Sequence, residues 1–117
     1  MPNFCFGENS IVAVDFQYIG PGCGLIDFCY LFIGLVDENK EEEFISKLLE
    51  SYFSKLRSKN KILSREEFNE LENEWRYLLP FVVADYERFL IGWQPGSHWR
   101  STKYSSNLTD KALSLLS

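Results

Sequence analysis

The run from Phe68 to Leu90 constrains the fold more than any other segment. Phe68, Leu71, Trp75, Leu78, Leu79, Val82, Val83, Tyr86, Phe89 and Leu90 recur every three or four residues, the spacing that lines apolar side chains along one stripe of an α-helix. A helix striped over that length must lie against other protein along most of it. Ser64-x-x-Glu67 opens the run with a capping box, in which each side chain satisfies the other residue's backbone N–H. Pro80 is expected to bend or split the helix, because its nitrogen has no hydrogen to donate and its ring crowds the carbonyl four residues back. A second amphipathic helix precedes this one. Asn39-x-x-Glu42 supplies its capping box, Phe44, Ile45, Leu48, Leu49, Tyr52, Phe53 and Leu56 hold the same period, and it ends near Arg57 to Lys61.

Upstream, Leu25 to Val36 is apolar nearly all round apart from Asp27, and it reads as a core helix surrounded by protein. Its 12 residues fall short of the roughly 18 needed to span a bilayer. Before it, Gly20-Pro21-Gly22-Cys23-Gly24 breaks any regular element. That loop lacks the Lys-Ser/Thr of a phosphate-binding P-loop and reads as a tight structural turn. The chain starts with two short strands, Phe4 to Phe6 and Ile11 to Phe16, joined by Gly7-Glu8-Asn9-Ser10. A lone two-stranded hairpin is marginal in water, so this one is expected to lean on the helices and to be buried on both faces. At the other end, Gly92 to Lys103 is a polar loop carrying Trp93, Trp99 and the single His98, and Asn107 to Leu116 forms a short last helix. The fold class expected is α+β, mostly α: an N-terminal β-hairpin followed by about four helices. Residues 1–24 form a hairpin and Gly-rich loop, and 25–117 a helical subdomain.

Composition removes several function classes. The chain is 45% hydrophobic and 25% charged, which excludes a disordered tail. Twelve basic against 17 acidic residues give a net charge of -5, a poor surface for gripping nucleic-acid phosphates. Residues 1–10 have neither a basic start nor an apolar core of the secretory kind, so a cytoplasmic location with no membrane attachment is expected. Cys5, Cys23 and Cys29 form no C-x-x-C and are odd in number, so neither a disulfide framework nor a zinc site is expected. They read as small buried hydrophobes, and Cys23 and Cys29 have no basic neighbour in sequence to activate a thiol. His98 has no second ligand at metal spacing. Glu41-Glu42-Glu43 reads as a solvated first turn complementing the helix dipole, and Asn107-Leu108-Thr109 is a glycosylation acceptor that stays idle in the cytosol. Trp93, Trp99 and Tyr104 have two roles open to them, core packing and the walls of a small-molecule pocket.

Asn3 and Asp15 form the constellation with the most chemistry in it. Asn3 opens the first strand and Asp15 closes the second, so a hairpin can bring them to one end of the ribbon. An amide oxygen beside a carboxylate is a hard, oxygen-only donor set suited to Mg²⁺. Spacing alone is also compatible with simple turn capping.

The sequence around those two residues carries a resemblance. Asn3-Phe4-Cys5-Phe6, Val12-Ala13-Val14-Asp15-Phe16-Gln17-Tyr18, the Gly20 to Gly24 loop and Asp27-Phe28-Cys29-Tyr30-Leu31-Phe32 together resemble the C-terminal lobe of the aminoglycoside phosphotransferase and choline kinase superfamily, most closely its ecdysteroid-kinase-like (CHK-kinase-like) branch. Glu74-Trp75-Arg76, the Pro80 to Tyr86 segment and the Arg88 to Trp99 segment are similar to the late helices of that branch. The resemblance implies a protein-kinase-like fold, Mg²⁺ and ATP, and transfer of the γ-phosphate to a hydroxyl on a small molecule. It implies that Asn3 and Asp15 are the Mg²⁺ ligands, the latter in the position of the Asp of Asp-Phe-Gly, and that Asp27 supports the site structurally. The late helices would wall the acceptor pocket with Trp93, Trp99 and Tyr104.

The departure from that pattern is large. The family's catalytic loop reads His-Gly-Asp, four residues, then Asn, and here only Met1 and Pro2 stand before Asn3. The catalytic Asp and the ATP-covering N-terminal lobe are therefore not among these residues. Phosphoryl transfer is mostly positioning and charge neutralisation, so a C-terminal fragment, inactive alone and associating with a missing N-terminal lobe or with itself, is expected. At 117 residues the chain is too short for a complete two-lobed pseudokinase. The reading from another class is a non-catalytic helical protein-interaction module with no dependence on Mg²⁺.

Overall fold

A computed structural model describes residues 4–13, 21–93 and 102–117. Its elements run β1 (Phe4–Phe6), β2 (Ile11–Ala13), α1 (Leu25–Phe32), α2 (Glu38–Lys59), α3 (Arg65–Trp93) and α4 (Lys103–Leu116). Among the described residues the fold is mostly helical, with one antiparallel ribbon ahead of the helices.

The ribbon pairs Phe4 with Ala13, Cys5 with Val12 and Phe6 with Ile11, and Gly7 N–H donating to Ser10 O at 2.8 Å closes the turn. Residues 14–16, expected in the second strand, lie outside the described residues. The expectation of a hairpin buried on both faces fails at every side chain described. Phe6 is 70% and Ile11 65% exposed on one face, and Val12 on the other face is exposed as well. The helices explain the failure, because they complete a core among themselves. That core gathers Leu25, Phe28, Ile45, Phe53, Val83 and Leu90 and takes none of Phe6, Ile11 or Val12.

α1 is shorter than its apolar run. Leu25, Phe28 and Cys29 turn inward while Ile26, Asp27 and Tyr30 stay exposed, so it lies on the core and is not surrounded by it. Beyond Phe32 the chain goes extended at Ile33 and then left-handed at Gly34, with φ +83°, a conformation that glycine adopts without strain and that ends helices. α2 starts earlier than Asn39 suggests. Its N-cap is Asp37, which makes no side-chain cap, and Asn39 lies inside the helix. The early start follows from the turn before it: Gly34 N–H donates to Glu41 Oε1 at 2.6 Å, drawing the first turn of α2 back onto the end of α1.

α3 is a continuous helix of 29 residues, roughly 44 Å long at 1.5 Å per residue. The Ser64 box forms as expected, with Glu67 N–H donating to Ser64 Oγ at 3.1 Å and Ser64 N–H to Glu67 Oε1 at 3.0 Å. Pro80 does not split the helix. Leu79, Pro80 and Val83 are all buried, and that packing outweighs a mid-helix proline penalty of about 3 kcal/mol. Across the α2–α3 face, Arg76 bonds Glu50 at 3.1 Å and Glu72 at 2.9 Å, and Arg57 bonds Glu72 at 3.2 Å. The two guanidinium groups also lie over Phe53 and Phe68. α4 begins four residues before the expected Asn107, because Thr102 and Ser105 form a reciprocal capping box.

Candidate functional site

Of the residues singled out for chemistry, Asp27, Trp93 and Tyr104 fall on described elements: α1, the end of α3 and the start of α4. Asn3 precedes Phe4 by one residue and Asp15 follows Ala13 by two; both lie outside the described residues, as do His98 and Trp99. The register does fix the frame they attach to, since pairing Phe4 with Ala13 makes the chain enter and leave the ribbon at the same end. Asp27 stands in the first turn of α1 with an exposed side chain. Among the described residues, no group of three His, Cys, Asp or Glu side chains is arranged to hold a metal ion.

The Gly-rich loop meets the helices at Gly24, the N-cap of α1. A Cβ there would collide with the Tyr52 hydroxyl and come within 3.3 Å of Trp75, so glycine is needed for the close approach. A Cβ at Gly22 would meet nothing within 4 Å. Tyr52 is held from behind, its ring standing edge-on to Phe28 at 5.7 Å and to Phe53 at 5.4 Å. The start of α1, and with it Asp27, is therefore seated on Tyr52 of α2 and Trp75 of α3.

Trp93 closes α3. Tyr104, in the first turn of α4, is half-buried and packs against the core. Its hydroxyl is pushed well above the usual tyrosine range, by burial first and then by Cys29, Glu41 and Glu42. Cys29 is buried and its thiol is pushed up to about 12, by burial and secondarily by Cys23. That makes Cys29 an unreactive thiol, since the thiolate is the nucleophile.

A polar junction that the sequence reading missed lies where all four helices approach. Glu41, expected on a solvated face, is completely buried; Oε1 accepts from Gly34 N–H and Oε2 has no hydrogen-bond partner among the described residues. Glu87 of α3 is also buried, with Ser105 Oγ at 2.7 Å, Thr109 Oγ1 at 2.9 Å and Ser106 Oγ at 3.3 Å. Lys103 N–H donates to Glu38 Oε1 at 3.2 Å, tying the start of α4 to the start of α2. These bonds pin α4 in place; they assemble no nucleophile with a base. The available signal was local: Gly34 seven residues before Glu41, and a Thr102-x-x-Ser105 box whose serine replaces the usual Glu or Gln.

No family model, no curated protein and no solved structure matches the chain.

Proposed function

We propose that the chain is the C-terminal part of a cytoplasmic, ATP-dependent small-molecule phosphotransferase of the CHK-kinase-like type that its sequence resembles. The observation that carries this reading is the register of the ribbon. Phe4 pairs with Ala13, so the chain enters and leaves the ribbon at one end, and in sequence Asn3 stands one residue before Phe4 and Asp15 two residues after Ala13. In this reading Asn3 and Asp15 hold Mg²⁺, which neutralises the phosphates of ATP, and Asp27 keeps the loop and α1 in register. The base that orients the acceptor hydroxyl and the cleft for adenine come from further polypeptide, so the 117 residues alone bind nucleotide weakly and do not turn over.

The test is the shift that the chain induces in the ³¹P NMR signals of ADP, read against ADP alone at the same Mg²⁺ concentration, with and without Mg²⁺. A shift that requires Mg²⁺, and that Asp15→Asn and Asn3→Ala each abolish while leaving the helical circular dichroism unchanged, is the expected result. A shift indifferent to Mg²⁺ or to both substitutions overturns the assignment.

A second reading, the non-catalytic interaction module, draws on the exposed Phe6, Ile11 and Val12 of the ribbon. It requires the ADP signal to stay silent while hydrophobic association persists without metal.

A further inference from the structure

The basic residues of this acidic chain are unevenly spread. Lys55, Arg57, Lys59, Lys61 and Arg65 fall within eleven residues, with no Asp or Glu from Ser51 to Ser64. They surround the α2–α3 turn. Arg57 and Lys59 complete the last turn of α2, where cations suit the helix dipole, but Lys61 and Arg65 lie beyond that effect. Arg57 is engaged by Glu72, whereas Lys55, Lys59, Lys61 and Arg65 make no ion pair among the described residues.

Two adjoining hollows open at this turn. One, of about 220 Å³, has an apolar floor of Leu56, Leu63, Phe68, Leu71 and Trp75, with Lys59 on its rim. The other, of about 400 Å³, is lined by Arg57, Asn60, Arg65, Phe68 and Asn69. They share Asn60 and Phe68, and no carboxylate lines either. The wall between them is fixed in advance. Asn60 Oδ1 accepts from Ile62 N–H at 3.1 Å and Leu63 N–H at 2.9 Å, and Asn60 Nδ2 donates to Leu63 O at 2.9 Å. A turn already ordered loses little entropy when a ligand arrives.

We propose that the α2–α3 turn binds a soluble anion carrying an apolar tail, the acid group at Arg65, Arg57 and Asn69 and the tail over Phe68 and Trp75. Charge complementarity selects the head: Arg65 makes no ion pair among the described residues, no carboxylate lines either hollow, and Arg57 keeps the donors that its single contact with Glu72 does not use. The apolar floor selects the tail, because a bare anion leaves Leu56, Leu71 and Trp75 uncovered. The site lies at the opposite end of α2 from the Gly34–Glu41 contact and does not depend on the phosphotransferase reading.

Octyl phosphate below its micellar range is the probe, followed by amide and indole NMR shifts of the full chain. Saturable shifts confined to residues 56–75, including the Trp75 indole, are expected, with octanol and inorganic phosphate each at least about tenfold weaker. Lys59→Glu with Arg65→Glu should weaken binding by about tenfold or more. Both side chains are exposed; a glutamate at the first position of α3 suits the helix dipole and one at the last position of α2 opposes it only at a solvated helix end, so the helices are retained, as circular dichroism will report. Equal shifts with octanol, or an unchanged affinity in the double variant, overturn the proposal. So does sedimentation with phosphatidylserine vesicles in the absence of any octyl phosphate shift, which would make the turn a membrane-docking surface.

Discussion

Gly24 shows how much a single missing side chain decides. Its backbone dihedrals, φ -62° and ψ -17°, are open to alanine, though at an N-cap alanine brings no gain over glycine. Space decides against it, because the added methyl displaces Tyr52 from its edge-on contacts with Phe28 and Phe53. Gly24→Ala should lower stability by about 1–2 kcal/mol, the usual scale of overpacking, and Gly22→Ala should leave the urea midpoint unchanged. An equal effect of the two substitutions would contradict the contact. Glu41 is the counter-example for legibility. Three consecutive glutamates at a helix start look solvated, and two of them are exposed. Only the left-handed turn at Gly34, whose N–H donates to Glu41 Oε1, draws Glu41 inside. A one-dimensional reading of charge has no access to that.

At the scale of elements, what is periodic is legible and what is tertiary is not. The α2 and α3 stripes, their order and the Ser64 box all follow from spacing and capping chemistry, because each rests on residues within a few positions of one another. The start of α4 escaped because Ser105 completes its box in place of an acid, and the end of α1 and the start of α2 escaped because those two bounds depend on each other, whereas the end of α2 at Lys59 falls where expected. The continuity of α3 through Pro80 escaped for the same kind of reason, burial from other helices outweighing a local penalty. The Ser64 box carries its own pH dependence. The Ser64 N–H and hydroxyl beside Glu67 hold its carboxyl below the usual range. A depressed carboxylate contributes stability that is present above its unfolded value, 4.5, and is lost as the pH falls through the lower folded one. The start of α3 should therefore fray on acidification before the middle does, seen as faster amide exchange at residues 65–68. Ser64→Ala should remove the difference.

For the whole molecule, the surface is larger than the mass warrants. The accessible area is 8979 Å² against about 6,600 Å² expected of a compact monomer of this mass. The Cα radius of gyration is 15.5 Å against about 13 Å for a compact chain of this length. Helical content and order were readable from the sequence, but this openness was not, because apolar patterning says which face is buried and never how many neighbours share the burial. The core that does form is marked by its titrating groups. Burial raises the Cys29 thiol from 9.0 to about 12 and raises Tyr86 and Tyr104 in the same direction. Groups held protonated in the fold contribute stability that is full below their unfolded values and is lost as the pH climbs toward the folded ones. Urea midpoints should therefore fall steadily above pH about 9, and a flat profile up to the unfolding of the helices would contradict the burial of Cys29 and Tyr104.

The uncovered ribbon has a consequence for the chain's life in a cell. Chaperones and proteases sort proteins by exposed apolar extended segments, and the fraction they remove follows the population that displays one. Phe6, Ile11 and Val12 display theirs in the folded state, so the steady-state abundance of this polypeptide would be set less by its own folding than by how soon something arrives to cover that end.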